Sequence, residues 1–203
     1  GGGSNPTPLT TGLVTVNSGG MLSGMGCAAS VLVNKGGVLS AGAAGVPGTL
    51  KATGKLTLAA GSTLMVQLAG SSTVNNSKYR INGNITHSGD TILVSVPGEV
   101  TLKAGDELQI FTGTGSQTGS YILKTASPDR TIEWDDSALL TSGVLRVREV
   151  TTGIGHILAE QGEVNVYSTG GQLLRSGVAA DRALDGLPAG VYVVNGKKVV
   201  AGE

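Results

Sequence analysis

Aromatic residues are scarce in this chain. They make up 3% of the 203 residues, with one Trp and one Phe. A globular core packed with large rings is therefore excluded, whereas narrow stacked coils can be filled by Val, Leu and Ala. No stretch shows a sustained apolar period of 3.6 residues, so long amphipathic helices are excluded as well.

Charged residues are also few, at 14%, and the 14 Lys and Arg balance the 14 Asp and Glu. Nucleic-acid binding requires a basic surface, so we expect no nucleic-acid partner. No long apolar run is present, which excludes a transmembrane helix. Cys27 is the single cysteine, so no disulfide can form within the chain, and we interpret this thiol as a packing residue.

Glycine, by contrast, is abundant, at 34 residues, more than double its usual share of about 7%. Four glycines lie at the centre of a repeated pattern, in which an aliphatic residue stands three positions before and three positions after each glycine. The copies are Val16-Gly19-Leu22, Val33-Gly36-Leu39, Leu58-Gly61-Leu64 and Leu102-Gly105-Leu108. The first two copies lie 17 residues apart, a spacing typical of one coil of a β-solenoid. We predict that all four glycines form tight corners, because glycine adopts a positive φ without a steric penalty.

Apolar and polar residues alternate in the short β-prone segments between Leu13 and Arg148. Such alternation turns one face of each strand inward. We therefore predict an all-β chain, with a parallel β-helix over 13–149 and a small antiparallel β-module over 150–203. About six coils at a strand spacing of about 4.8 Å would be roughly 30 Å long. We interpret 1–12 as a flexible lead, and a β-sandwich is the alternative fold.

The repeats resemble the autotransporter-associated β-strand repeats of bacterial surface proteins. The similar segments are LVTVNSGGMLSG, VLVNKGGVLSAG and GTLKATGKLTLAAGSTLMVQL, and TIEWDDSALLTSGVLRV (131–147) resembles the end of such stretches. The resemblance covers roughly 13–148. It implies a right-handed parallel β-helix that serves as a stalk or passenger on the bacterial surface.

The last 54 residues, 150–203, differ in character and resemble the C-terminal sorting module of the type IX secretion system. Matching positions occur in the family's order: Val164, Val166, Tyr167, Gly171, Leu187, Gly190, Val191, Tyr192, Val194, Lys197 and Lys198. The resemblance implies export from a Gram-negative bacterium to its outer surface. We also expect the module to act as a cap on the open end of the β-helix, where exposed backbone invites aggregation.

Few residues point to catalysis or metal binding. ATGKLT (52–57) lacks the Ser or Thr of a phosphate loop, and GMGCAA (24–29) is not followed by a helix, so we expect no cofactor. His87 and His156 lie far apart in the sequence, which favours surface or turn roles over a metal site or a catalytic triad. Two acidic pairs occur, Asp106-Glu107 and Asp135-Asp136. We interpret Asp135-Asp136 as the turn of the last coil, with Ca²⁺ binding or catalysis as the alternatives.

Three aromatic residues are candidate ligand contacts, namely Tyr79, Tyr121 and Trp134. An exposed ring on the side of a β-helix can stack against a sugar. The segments Asp90-Thr91-Ile92 and Asp136-Ser137-Ala138 resemble the acceptor motif of a periplasmic O-glycosylation system. We expect glycans or surface proteins as partners, and a monomeric chain.

The composition and the two resemblances favour a non-enzymatic, exported surface protein with a rigid stalk or adhesin-like role. The enzymatic alternative is a polysaccharide lyase or glycoside hydrolase, and it requires carboxylates and basic groups in one groove. Its test is whether Asp129, Arg130, Glu133 and Asp135 converge. The third alternative is a purely structural fragment of a larger passenger.

Overall fold

A computed structural model describes residues 9–70, 74–128, 130–152, 162–194 and 197–201. The fold is all-β, with 61% strand and 4% helix, and contains a parallel β-solenoid of about three turns plus small antiparallel sheets. The predicted fold class is confirmed, and the β-sandwich alternative is wrong. The chain divides into two compact units, residues 1–128 with 132–149 and residues 129–131 with 150–203.

Thirteen strands form the solenoid sheet. They are β1 (Leu9–Val16), β2 (Met21–Gly24), β3 (Cys27–Val33), β4 (Val38–Ala43), β5 (Val46–Pro47), β6 (Thr49–Ala52), β7 (Leu56–Leu58), β8 (Thr63–Ala69), β9 (Asn75–Asn76), β10 (Lys78–Ile81), β11 (Ile85–Ser95), β13 (Phe111–Thr112) and β14 (Gln117–Ala126).

Parallel pairing stacks eleven of these strands into three columns, whereas β5 and β9 pair antiparallel with β4 and β8. The first column runs β1, β3, β7, the first half of β11 and the first half of β14. The second runs β2, β4, β8 and the second halves of β11 and β14. The third continues from the start of β3 through β6, β10 and β13. Inward aliphatic side chains such as Leu39, Leu56, Leu64 and Ile92 are fully buried between the columns.

The length of a coil grows along the chain. Val14 pairs with Val31, 17 positions later, but Val31 pairs with Leu56, Leu56 with Ile85 and Ile85 with Gln117, at steps of 25, 29 and 32. The third column accounts for the longer steps, because β6, β10 and β13 are separate strands with their own connections. The estimate of six coils is therefore wrong, since each later turn uses more residues than the first spacing implied.

The solenoid begins earlier than the sequence indicated. β1 starts at Leu9, which pairs with Ala28 in the same ladder as Leu13 with Ser30, after a register shift. The prediction of a flexible lead is therefore wrong for residues 9–12, while residues 1–8 lie outside the described part of the chain.

The repeat glycines form a stacked column. Gly19 N–H donates to Gly36 O at 3.0 Å, Gly36 N–H to Gly61 O at 2.9 Å and Gly61 N–H to Gly89 O at 3.2 Å. Gly19, Gly36, Gly61 and Gly89 all have φ between 73° and 85°, a region that L residues with a side chain rarely adopt. The predicted corners at Gly19, Gly36 and Gly61 are therefore confirmed.

The fourth copy of the repeat lies elsewhere. Gly105 has a positive φ of 91°, but its N–H donates to Val147 O at 2.8 Å, and Leu108 pairs antiparallel with Leu145. In the solenoid its place is taken by Gly89, with His87 paired to Leu58 and Ile92 to Leu64. That copy is one residue shorter before the glycine, which concealed it in the sequence.

A three-stranded sheet replaces the last predicted coil. Its order is β12 (Glu107–Gln109), β16 (Val144–Thr152) and β15 (Arg130–Asp135), with the short helix α1 (Leu139–Ser142) between β15 and β16. Residues 131–147 thus form an antiparallel hairpin-like arrangement around a helical turn. The prediction of a parallel coil here is wrong.

The second unit contains a four-stranded antiparallel sheet in the order β18-β17-β19-β20. Its elements are β17 (Glu163–Ser168), β18 (Leu173–Ala179), a 3₁₀ turn (Ala180–Arg182), β19 (Gly190–Val194) and β20 (Lys197–Ala201). Val164, Val166 and Val194 form its buried core together with Val199. Among the described residues, no helix has the length and apolar character needed to cross a membrane.

The sequence positions of the sorting-like motif take structural roles in this sheet. Leu187 packs on the core and Gly171 forms a turn with φ 86°. The Tyr192 hydroxyl donates to Pro188 O at 2.7 Å. Tyr167 pairs with Val193, and the backbone of Lys197 and Lys198 pairs with β19, which begins at Gly190.

Candidate functional site

Tyr79 cannot contact a ligand. Its side chain is fully buried, and its hydroxyl donates to Met65 O at 2.5 Å and accepts from Ala41 N–H at 3.1 Å. Burial raises the pKa of this hydroxyl well above its usual range. The prediction of a ligand contact at Tyr79 is wrong, because the ring points inward from β10 and ties that strand to β4 and β8.

Trp134 and the acidic pair that follows it do lie at a concave surface. One cavity of about 640 Å³ is lined by Gly105, Trp134, Asp135, Asp136, Arg146, Val147 and Arg148. A second, of about 400 Å³, shares Asp135 and Arg146 with the first and is also lined by Glu107, Ser137, Ala138, Ser142 and Val144. We call these two adjoining cavities the Trp134 groove. All of its residues belong to the first unit.

The three-stranded sheet positions the charged groups of this groove. Glu107 on β12 pairs with Arg146 on the central strand β16, and their side chains form an ion pair while remaining about half exposed, at 51% and 55%. Arg148 is exposed two residues further along β16, so both guanidinium groups leave the same face of that strand. The groove therefore presents donors and acceptors side by side.

Asp135 is held in place by its neighbour. Its Oδ1 accepts from Ser137 N–H at 3.1 Å and from the Ser137 hydroxyl at 2.6 Å. These hydrogen bonds, helped by the charges of Arg146 and Arg148, hold the pKa of the Asp135 carboxyl below its usual range. Asp135 thus forms the predicted turn and remains an anionic acceptor near neutral pH.

Tyr121 and Trp134 both border this region but are partly engaged. The Tyr121 hydroxyl donates to Asp136 Oδ2 at 2.8 Å, and burial, then the Asp136 carboxylate, raise the pKa of that hydroxyl. The Trp134 indole N–H donates to Thr125 Oγ1 at 2.7 Å. Both rings are half-buried, so a ligand in the groove meets the exposed part of Trp134, while Tyr121 orients Asp136.

The enzymatic alternative named four residues, and of the three that the structure describes only one lines the groove. Asp135 lines the groove, but Arg130 and Glu133 are not among its lining residues. Asp129 lies outside the described residues. The other acidic pair is also engaged, since Asp106 Oδ2 accepts from Lys103 N–H at 2.9 Å. Within the described residues, no group of three His, Cys, Asp or Glu side chains could hold a metal ion.

His87 is buried against a carboxylate, contrary to the predicted surface or turn role. Its Nδ1 lies 3.1 Å from Asp90 Oδ1 and 3.2 Å from Asp90 Oδ2, and both side chains are fully enclosed. The rings of Phe111 and Tyr121 meet the imidazole edge to face, at centroid distances of 5.7 Å and 5.5 Å. His156 lies outside the described residues.

The sequence pattern did not reveal the pair of His87 and Asp90, because His87 stands where the other copies of the repeat have an aliphatic residue. His87 occupies the column position of Val16, Val33 and Leu58, and its Nε2 has no hydrogen-bond partner. The buried pair has no access to solvent, so it is a structural element of the core. For the same reason Asp90 is not an exposed part of a glycosylation acceptor, whereas Ser137 in the other such motif is exposed.

Arg146 and Arg148 were missed as site residues, and Glu107 was named only as a member of the acidic pair Asp106-Glu107. The alternation Arg146-Val147-Arg148 indicates one exposed basic face, but only the antiparallel register places Glu107 beside it. No family model matches the chain, and no curated protein matches it in sequence.

Proposed function

We propose that this chain is a non-enzymatic, exported bacterial surface protein in which the β-solenoid acts as a rigid, adhesin-like binding module. The observation that carries the proposal is the Trp134 groove, where an indole, a fixed carboxylate and two guanidinium groups meet on a regular scaffold. Sugars are recognised by this combination, because their apolar faces stack on aromatic rings while their hydroxyls hydrogen-bond to charged groups.

The solenoid contributes rigidity to that role. Its columns are held by continuous parallel ladders and by the glycine column, so a groove attached to the last coil is presented on a stiff support. Export and surface attachment remain part of the proposal. They rest on the two resemblances, with the antiparallel unit of residues 162–201 in the place of the sorting module.

A glycan array probed with the full chain tests the binding role, followed by titration of each hit against variants. Trp134→Ala is expected to weaken binding about 10-fold, the loss of roughly 1.4 kcal/mol that a stacked ring contributes. Arg148→Gln is expected to weaken it as well. Arg80→Gln is the matched control, since Arg80 is exposed on β10 and lies outside the groove.

Two results would contradict the proposal. A blank array would remove the glycan-binding role. Binding that survives Trp134→Ala unchanged, in a variant whose circular dichroism matches the parent, would move the binding surface away from the groove.

A further inference from the structure

A third cavity adjoins the Trp134 groove. It has a volume of about 280 Å³ and is lined by residues of the last coil and of α1. We call it the Gln117 cavity. It shares Ser142 with the second cavity of the groove, just as that cavity shares Asp135 and Arg146 with the first. The three cavities belong to the first unit, and together they form one continuous depression.

The Gln117 cavity has an apolar floor and polar walls. Ile81, Ile85 and Phe111 form the floor and are almost fully buried. Gln117 and Thr141 stand in the walls, and none of the described residues that line the cavity is charged. An apolar surface with a few polar groups is typical of small-molecule sites, whose volumes start at about 300 Å³.

The polar walls are held by bonds to the backbone. Gln109 Nε2 donates to Phe111 O at 2.7 Å and to Ser142 O at 2.9 Å. Gln117 Nε2 donates to Leu139 O at 2.8 Å, which fixes the orientation of the amide because a carbonyl only accepts. Gln117 Oε1 is buried, and no described residue donates to it. A hydroxyl group of a ligand supplies the donor that this oxygen lacks.

The charges of the Trp134 groove favour an uncharged ligand. Three carboxylates and two guanidinium groups line it. Glu107 is paired with Arg146, and Asp136 accepts from the Tyr121 hydroxyl. An anionic sugar would meet the carboxylates and a cationic one the guanidinium groups, and like charges in contact are costly. Uncharged hydroxyl groups bond to both kinds of side chain without that cost.

The depression is longer than one sugar ring. Val144 lines its second cavity and Arg148 its first. Both residues lie on β16, and at about 3.3 Å per residue they are about 13 Å apart. Ser142, which precedes Val144, leads on into the Gln117 cavity. A ligand that fills all three cavities is therefore an extended chain.

We propose that the ligand is an uncharged, linear oligosaccharide of at least three sugar units, which lies along the Trp134 groove with one end in the Gln117 cavity. This inference rests on the proposed glycan-binding function and names the class of glycan. One unit stacks on Trp134, and the unit at the other end packs on the apolar floor while its hydroxyl groups donate to the fixed acceptors of the walls.

A glycan array probed with the full chain tests the class of ligand. The array carries neutral hexose oligosaccharides from monosaccharides to hexasaccharides, together with uronic-acid and sulfated oligosaccharides of the same lengths. We expect binding to the neutral series. By isothermal titration calorimetry, the trisaccharide of the series that binds should have an affinity at least about 10-fold higher than its disaccharide. The affinity should change less than about 2-fold when NaCl is raised to about 0.5 M.

Thr141→Tyr tests the assignment of the Gln117 cavity. Thr141 is exposed on α1 and lines this cavity but not the Trp134 groove, so the new ring occupies the site of the terminal unit. We expect the trisaccharide affinity to fall about 10-fold, to the level of the disaccharide, whose own affinity stays within about 2-fold of the parent value.

Thr114→Tyr is the matched control. Thr114 is also exposed and also donates its hydroxyl to a backbone carbonyl, Asn82 O at 2.9 Å, but it lines none of the three cavities. Both affinities should stay within about 2-fold of the parent values. Circular dichroism checks that both variants are folded.

The failure of this inference differs from the failure of the proposed function. Binding confined to anionic glycans, no gain from the third unit, a gain that survives Thr141→Tyr or a gain that Thr114→Tyr also removes would each overturn the inference. Binding that is still weakened by Trp134→Ala would then leave the proposed function intact. A blank array, or binding insensitive to Trp134→Ala, contradicts the proposed function and this inference together.

Discussion

Replacing Tyr79 by Phe removes a single oxygen atom from the centre of the solenoid. Tyr79 is the largest fully buried side chain of the described residues, and its hydroxyl connects the third column to the second. It accepts from Ala41 N–H at 3.1 Å, and its proton reaches Met65 O at 2.5 Å, with Leu39 O at 3.2 Å as a second acceptor. Phe fills nearly the same volume, so packing is retained while the polar connection is lost.

The cost can be worked from these contacts. Without the hydroxyl, the Ala41 N–H is buried without its acceptor, at about 1–3 kcal/mol, and the bond to Met65 is lost, at about 1 kcal/mol. We expect Tyr79→Phe to lower the free energy of unfolding by about 2–4 kcal/mol. For a chain of this size that corresponds to a decrease in Tm of about 4–16 °C.

Thermal and urea denaturation followed by circular dichroism measure the effect. The control is Tyr121→Phe. The Tyr121 hydroxyl donates to the exposed Asp136 carboxylate, and water can take its place in the variant. We therefore expect the free energy of unfolding to fall by at most about 1 kcal/mol. The urea m-value should not change, because the same surface is exposed on unfolding. A decrease in Tm below about 2 °C for Tyr79→Phe would refute the reasoning.

The architecture of the solenoid could be predicted because its signals are local. Alternation within a segment fixes which side chains face inward, and glycine at a corner has a conformational cause. These rules placed Gly19, Gly36 and Gly61 correctly. They also predicted the positive φ of Gly105. A corner motif does not specify, however, which strand pairs with the strand that follows the corner.

Register between distant strands could not be predicted in the same way. The step between coils increases from 17 to 32 residues, so a period read from the first two copies does not extend along the chain. The copy centred on Gly89 is one residue shorter, and its aliphatic position carries His87. A pattern that requires aliphatic residues therefore misses the coil that contains the buried pair.

The site depended on the same non-local information. Trp134, Asp135 and Asp136 are adjacent in sequence, and the sequence identified Trp134 as a candidate ligand contact and the acidic pair as a turn. Their partners are not, because Arg146 and Glu107 reach the groove through the antiparallel pairing of β12 with β16. Tyr79 was wrongly predicted to contact a ligand for the same reason. A tyrosine in a strand can face inward or outward, and the register decides which.

Two further substitutions test how the coils are stacked. Gly119→Ala should be far more destabilising than Gly105→Ala in urea denaturation, by at least about 2 kcal/mol. Both glycines have positive φ, but a Cβ at Gly119 would lie 1.8 Å from His87 O, whereas the space at Gly105 is open; equal losses would contradict this stacking. His87→Leu should cost about 3–5 kcal/mol, because it leaves the Asp90 carboxylate buried without its partner. The double variant His87→Leu with Asp90→Ser restores the residue types of the preceding coil, which has leucine and serine at the equivalent positions. It should therefore recover part of the loss, because a buried neutral hydroxyl costs far less than a buried carboxylate without its partner. A double variant no more stable than His87→Leu alone would mean that the cost arises from the shape of this coil and that the carboxylate is satisfied by other groups.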